Sequence, residues 1–276
     1  MKFVKKLLVM LLCFVLGAVL AVGGTIAWLT DDDGAVNVMV VGKVQIEQIE
    51  MERAKDENGN WIVSSELDRY DYYPELMQEF TQNRRLMPAF YDNAQKTVIW
   101  DDRATVNGDA HQQSWEQVGA PGSNQLFDDS VKNVLDKFVF VKNTGDENAY
   151  YRTLIAVECP EGVDLDMIHF NLNANVRFSW EDVGFIEIDG VRYFLMVANY
   201  LEELTPGEVS RPSLLQVYLD PKTETADVQK FNGTMEILVV SQAVQCAGFE
   251  RVGAIAALDE AFGDVTIGAH PWTEEP

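Results

Sequence analysis

Seven short apolar runs crowd the second half of the chain, at residues 137–142, 150–158, 176–180, 185–188, 191–198, 214–219 and 235–244. Each is rich in Val, Ile, Leu and aromatic residues and is bounded by turn residues, the composition that suits a pleated, half-buried strand. Few helical patterns lie between them, so the spacing predicts a sandwich or jelly roll rather than an α/β sheet. Asp189-Gly190 sits between two runs and reads as a type I′ hairpin turn, and Pro206-Gly207 as a further turn. Residues 254–262 read as a short helix that Gly263 can close with a positive-φ cap. Upstream, residues 36–49 read as a strand pair or one bent strand. Val36, Val38 and Val40 share a face, and Gly42 marks a bulge before Val44 and Ile46 continue it. Residues 51–131 are polar and aromatic, with a hairpin signal at Asn58-Gly59, a helix-like patch at 74–80 and a Gly/Pro/Ser loop at 119–124. They read as an insertion or lid within one domain. The expected fold is therefore all-β: a jelly-roll-like β-sandwich with a short C-terminal helix and a polar, aromatic insertion, preceded by an N-terminal signal helix.

That signal begins with Lys2, Lys5 and Lys6 and continues as an uncharged run over residues 7–30. A positive start followed by an apolar stretch is the pattern of an export signal. Thr25 and Ala27 offer small side chains at the minus-three and minus-one positions, so cleavage is expected after Ala27, leaving Trp28 as the first mature residue. The chain divides into a signal peptide at 1–27 and one domain at 28–276. The alternative is an uncut anchor, since a membrane span needs about 20 apolar residues. Cleavage implies a secreted product, a signal peptidase as processing partner and no stable membrane insertion afterwards.

Losing residues 1–27 removes three lysines and no acids and takes the formal charge from −23 to −26. A field of that sign repels nucleic acid and anionic membranes, so nucleic-acid binding is excluded. With 47% hydrophobic and 11% aromatic residues the chain is globular rather than disordered. Cys159 and Cys246 alone survive processing; they either bridge or remain two buried thiols. His111, His169 and His270 are far apart, and no His-Glu-x-x-His occurs to set two ligands on one helix face. There is no Gly-x-Ser-x-Gly elbow either. No catalytic residue, metal site or cofactor is expected. Asp56-Glu57-Asn58-Gly59-Asn60 opens like a calcium loop, but Trp61 stands where that loop needs Gly and Leu67 where it needs Glu, so it reads as a turn. Trp100, Trp115, Trp180 and Trp272 can line a sugar-binding surface or pack in the core.

Three segments carry a family resemblance. The first is Gly23-Gly24-Thr25-Ile26-Ala27-Trp28-Leu29-Thr30-Asp31 with Asn37 and Gly42-Lys43-Val44; the second is Phe138-Val139-Phe140-Val141-Lys142-Asn143-Thr144-Gly145 with Ala149-Tyr150-Tyr151-Arg152. The third is Ser241-Gln242-Ala243-Val244-Gln245-Cys246-Ala247-Gly248-Phe249. Together they resemble the exported proteins processed by SipW-type signal peptidase, the group of TasA and camelysin (CalY). The resemblance implies a jelly roll, secretion, and assembly into biofilm-matrix fibres by donor-strand exchange, in which one subunit's N-terminal strand completes the sheet of the next. Residues 28–49 would be the exchanged strand, with Val36, Val38, Val40, Val44 and Ile46 filling the neighbour's apolar face. The expected partners are further copies of the chain or a related exported matrix protein. A monomeric adhesin-like, ligand-binding sandwich is the alternative, and a camelysin-type metallopeptidase is disfavoured by the missing zinc motif.

Overall fold

The computed structural model describes residues 37–58, 72, 74–81, 86–91, 131–173, 175–231 and 234–272. The protein is all-β, with thirteen strands and two short α-helices among the described residues. In chain order the strands are β1 (Asn37–Val41), β2 (Ile46–Arg53), β3 (Met77–Glu79), β4 (Phe90–Tyr91), β5 (Val131–Lys132), β6 (Leu135–Asp136), β7 (Phe138–Asn143), β8 (Ala149–Glu158) and β9 (Ile168–Leu172). They continue with β10 (Phe178–Ile188), β11 (Val191–Tyr200), β12 (Leu214–Leu219) and β13 (Ile237–Gln245); the helices are α1 (Thr225–Lys230) and α2 (Ala254–Phe262).

One sheet has the order β1-β13-β8-β11-β10. The other is assembled from β3-β2-β7 and β6-β12-β9. Main-chain bonds join these two parts: Asn143 N–H to Glu208 O (2.9 Å), Ser210 N–H to Val141 O (2.8 Å), Ser213 N–H to Val139 O (2.9 Å) and Lys137 N–H to Leu215 O (2.9 Å). A five-strand order β3-β2-β7-β12-β9 results, facing the first sheet. Between them lies the core. Val139, Leu214, Val217 and Leu219 meet Ile155, Val157, Met196 and Val239 at one end. Val44, Ile46 and Val141 meet Ala149, Tyr151, Ala198, Tyr200 and Ala243 at the other. Alternation follows from the pleat: Val139 and Val141 face this core, so Phe138 and Phe140 point to the opposite side, where Met51, Met77 and Tyr72 cover them. On the outside of the first sheet, α2 packs Ala254, Ala257 and Leu258 on Tyr150, Val244 and Cys246. The tail adds Val265 and Trp272 beside Ile186, Tyr193 and Leu195.

Several local expectations are met. Asp189 (φ 51°) and Gly190 (φ 78°) both take the positive φ that a type I′ turn demands. The C-terminal helix spans 254–262, and the Gly263 N–H, at φ 82°, donates to Asp259 O (2.8 Å). Others are corrected. Residues 74–80 hold a single 3-10 turn, Pro74–Leu76, leading into β3, because Met77 is buried in the outer cluster as an edge-strand residue rather than as part of a helix face. Gly42 is not a bulge within one strand. It sits at the corner where the chain leaves the first sheet and enters the second, and the bulge lies instead at Gly184 in β10. The described parts of 51–131 pack on the sandwich, with Met77, Leu86 and Ala89 buried. The 119–124 loop and the signal segment 1–27 fall outside the described residues.

Candidate assembly site at the N-terminal strand

β1 lies at the edge of the first sheet, parallel to β13, with Val38 opposite Ser241 and Val40 opposite Ala243. On its other side β13 runs antiparallel to β8 through nine pairs from Ile237↔Val157 to Gln245↔Ala149. The corner after β1 is tight. Gly42 adopts φ +93°, and a Cβ there would stand 2.9 Å from Gln245 Oε1. That oxygen accepts from the Lys43 N–H at 3.4 Å, so the Gln245 side chain occupies the space a larger residue would need.

Beyond the corner the chain is pinned. Gln45 O accepts from both Thr144 N–H (2.9 Å) and Gly145 N–H (3.1 Å). Asn143 shapes this turn: its Oδ1 accepts from Gly145 N–H at 2.9 Å, and its Nδ2 donates to Glu147 O and Leu204 O, both at 2.8 Å. A Cβ on Gly145 would lie 2.8 Å from Gln45 N, so glycine is required by close approach rather than by φ. β2 then pairs with β7 from Ile46↔Asn143 to Met51↔Phe138. In the core Gln48 Oε1 accepts from Ser241 Oγ (2.7 Å), which in turn meets Thr153 Oγ1 (3.2 Å), so a polar relay ties the two sheets together.

The segments singled out in the sequence therefore converge. Residues 37–41, 241–245 and 149–152 form adjacent strands, and the Asn-Thr-Gly turn holds the start of β2. Arg152 closes the arrangement by donating from Nε to Gln242 Oε1 (2.7 Å), from Nη1 to Asp259 Oδ1 (2.8 Å) and from Nη2 to Gly263 O (2.9 Å), which clamps α2 on the sheet. Burial pulls this guanidinium below its usual pKa, and Asp259 opposes that pull. Compared with known proteins, the chain matches no family model and no curated protein. Function is thus argued from geometry.

The five expected strand-exchange residues separate into groups. Val38 and Val40 lie in β1. Val44 and Ile46, 2% and 8% exposed, are built into the chain's own core. Ile46 opens β2, an inner strand flanked by β3 and β7, and Val44 packs in the same cluster just before it. Val36 falls outside the described residues, as do Thr25, Ala27 and Trp28 at the cleavage site.

Cys159 and Cys246 are both buried and free. The β8–β13 register explains why they do not bridge: Cys159 follows the end of β8 and Cys246 the end of β13, and these antiparallel strands leave the two cysteines at opposite ends of the sheet. They are separated by roughly 11 residues of strand, on the order of 35 Å, far beyond disulfide reach. Burial pushes both thiols up, Cys246 to about 12, with Glu203 and Glu250 adding to its shift. His169 Nε2 meets Asp220 Oδ2 at 2.8 Å and stacks on Tyr218, while His270 lies in the tail; His111 is outside the described residues. Among the described residues no group of three or more His, Cys, Asp or Glu is arranged to hold a metal. Asp56 accepts from Asn58 N–H (2.8 Å), a local Asx turn. Trp180 packs against the core and donates to Asn173 O (2.9 Å), whereas Trp272 lines a surface cleft; Trp100 and Trp115 are outside the described residues.

Sequence reading missed one buried feature beside the site. Arg53, at the end of β2, holds Asp136 through Nε (2.5 Å) and Nη2 (2.9 Å), Gln216 Nε2 donates to Asp136 Oδ1 (2.7 Å), and Asn171 Nδ2 donates to Gln216 Oε1 (3.3 Å). The row crosses four strands. Its members lie at positions 53, 136, 171 and 216, and no local pattern links them; only cross-strand register brings them together.

Proposed function

We propose that the chain is a secreted, non-catalytic subunit or accessory of a surface fibre or biofilm matrix, related to the TasA and camelysin proteins, and that β1 is the strand it exchanges. One observation carries this reading: among the described residues β1 has a single neighbouring strand, runs parallel to it over five residues, and is joined to the body through a glycine corner. Parallel pairing is slightly weaker per residue than antiparallel pairing, and an edge strand has nothing on its far side. The same register made with the β13 of a second copy would form the same main-chain bonds, so exchange costs little beyond bringing two chains together. Cleavage after Ala27 would free the segment leading into β1 and so act as the assembly switch. The orders β1-β13-β8-β11 and β7-β12-β9, with the chain crossing between the facing sheets from β1 to β2, from β7 to β8, from β8 to β9 and from β12 to β13, support the finer description of the fold as a jelly roll.

The test compares the mature chain with one beginning at Lys43, by size-exclusion chromatography and negative-stain microscopy. Fibres or oligomers from the first and monomers from the second are expected. Equal assembly by both removes β1 from the process. A second reading, a ligand-binding sandwich, is favoured by a separate feature at the far edge of the same sheet.

A further inference from the structure

At the edge opposite β1, the β10–β11 hairpin and the C-terminal tail enclose an open cleft of about 730 Å³. Phe185, Glu187, Asp189 and Arg192 line it from the hairpin, and His270 and Trp272 from the tail. Phe185 is 39% exposed despite its size. The Arg192 guanidinium lies over the Phe185 ring, 4.0 Å from its centroid, and Nη2 reaches Cys159 Sγ at 3.6 Å, so the cation is held in place. Its Nε is buried without a hydrogen-bond partner. The type I′ turn carries Asp189 to the rim, and Glu187 is exposed beside it. From the other face of the hairpin the tail brings His270 and Trp272 to the same edge of β10; their rings are 6.2 Å apart and tilted by 46°, and Trp272 is fixed by packing on the cluster around Ile186, Tyr193 and Leu195.

We propose that this cleft binds a neutral saccharide. A sugar ring has apolar C–H faces and a rim of hydroxyls that each donate and accept. It therefore fits a site that offers aromatic surface together with fixed donors and fixed acceptors. Here Trp272 and Phe185 supply the surface, Arg192 the donors, and Glu187 and Asp189 the acceptors. Other occupants fit less well. Glu187, Asp189 and a net charge of −23 repel anions. A wholly apolar ligand would desolvate three charged side chains with nothing in return. An extended peptide adding to β10 in the cleft would meet the bulge at Gly184 and the turn at Asp189, which leave residues 185–188 as the regular edge beside it. That is shorter than the usual strand of about 5–6 residues. The volume lies inside the range of about 300–1,000 Å³ common for small-ligand sites.

The experiment titrates neutral trisaccharides into the whole chain by calorimetry, using β-1,4-linked glucose, α-1,4-linked glucose and β-1,4-linked N-acetylglucosamine. Saturable binding of at least one is expected, weakened at least about tenfold by Trp272→Ala and about threefold or more by Glu187→Gln or Asp189→Asn. The two carboxylate variants are shape-preserving, and asparagine tolerates the positive φ of position 189, so they decide the matter if Trp272→Ala disturbs the fold. A chain beginning at Lys43 should bind equally well, because β1 lies at the other edge of the sheet. Failure of all three sugars to saturate at about 20 mM, binding unchanged in Glu187→Gln and Asp189→Asn, or saturable binding of a lysine-rich peptide in their place would overturn the proposal.

Discussion

The two strands that flank Gly42 invert the usual relation between apolar sequence and secure burial. β1 reads Asn-Val-Met-Val-Val and carries no charge, yet among the described residues it pairs with one strand. β2 reads Ile-Glu-Gln-Ile-Glu-Met-Glu-Arg, with four charged residues in eight, yet it sits between β3 and β7 and contributes Val44's neighbour Ile46, Met51 and a buried ion pair to the structure. Each of its polar groups on the inside has a partner: Gln48 with Ser241, Glu50 with Lys137, Glu52 with Gln78 and Thr81. What fixes a strand here is how many edges are paired and whether its polar groups are satisfied. Hydrophobicity alone marks β1 as a strand that wants a partner, without saying which chain supplies it.

The sharpest way to break β2's hold is Asp136→Ala. It leaves the Arg53 guanidinium, 5% exposed, without its carboxylate and removes the acceptor for Gln216. Breaking a buried pair by deleting one partner costs about 3–5 kcal/mol. Urea denaturation should record a loss of that size, and a loss below about 1 kcal/mol would mean that water replaces the carboxylate at no real penalty. Next comes Ile46→Ala, which opens a cavity between Val141 and Tyr200 and is expected to cost about 3 kcal/mol. The matching test on the other strand has a smaller effect. Gly42→Ala forces a Cβ against Gln245 Oε1 at a φ that L residues avoid, a strain of about 1–2 kcal/mol. Because β1 can lift away to relieve it, the strain should appear as faster amide exchange over residues 37–41 while β2 stays protected. Equal acceleration in both strands would show that the corner is held as firmly as the core.

Much of the sandwich is legible in the sequence because its inner strands are buried on both faces. Residues 150–158 and 191–198 are mostly apolar runs, broken by Arg152, Thr153, Glu158 and Arg192, and they form β8 and β11 with boundaries moved by one or two residues. β9 was not legible: Ile-His-Phe-Asn-Leu alternates weakly, and its polar members find distant partners in and just after β12, through His169–Asp220 and Asn171–Gln216. Residues 225–230 also carry no apolar stripe; the helix there is a short one nucleated by the reciprocal cap between Glu224 and Asp227. At the candidate assembly site the alternation of Val38 and Val40 marks a strand. The division at Gly42 between edge and core was hidden, since Val44 and Ile46 continue the same alternation, and only the change of sheet separates them.

Val38→Asp should therefore affect stability least and assembly most. In the isolated chain β1 contributes one five-residue parallel ladder at an edge, which can open locally without the rest of the sheet, so the unfolding free energy should fall by less than about 1 kcal/mol. Assembly has no such tolerance. If β1 docks on the β13 of another copy, residue 38 lies opposite Ser241, whose hydroxyl already serves the Gln48–Thr153 relay between the sheets. A carboxylate brought to that seam loses water without gaining a cation, a cost of roughly 2 kcal/mol or more, repeated at every junction along a fibre. The mature Val38→Asp chain should elute as a folded monomer under conditions where the unaltered chain forms fibres. Val38→Thr, which keeps the β-branched shape without the charge, should assemble at a reduced rate. Fibres of normal appearance from Val38→Asp would mean that residues 37–41 are not the exchanged strand, and would leave saccharide binding at the opposite edge as the better guide to what this protein does.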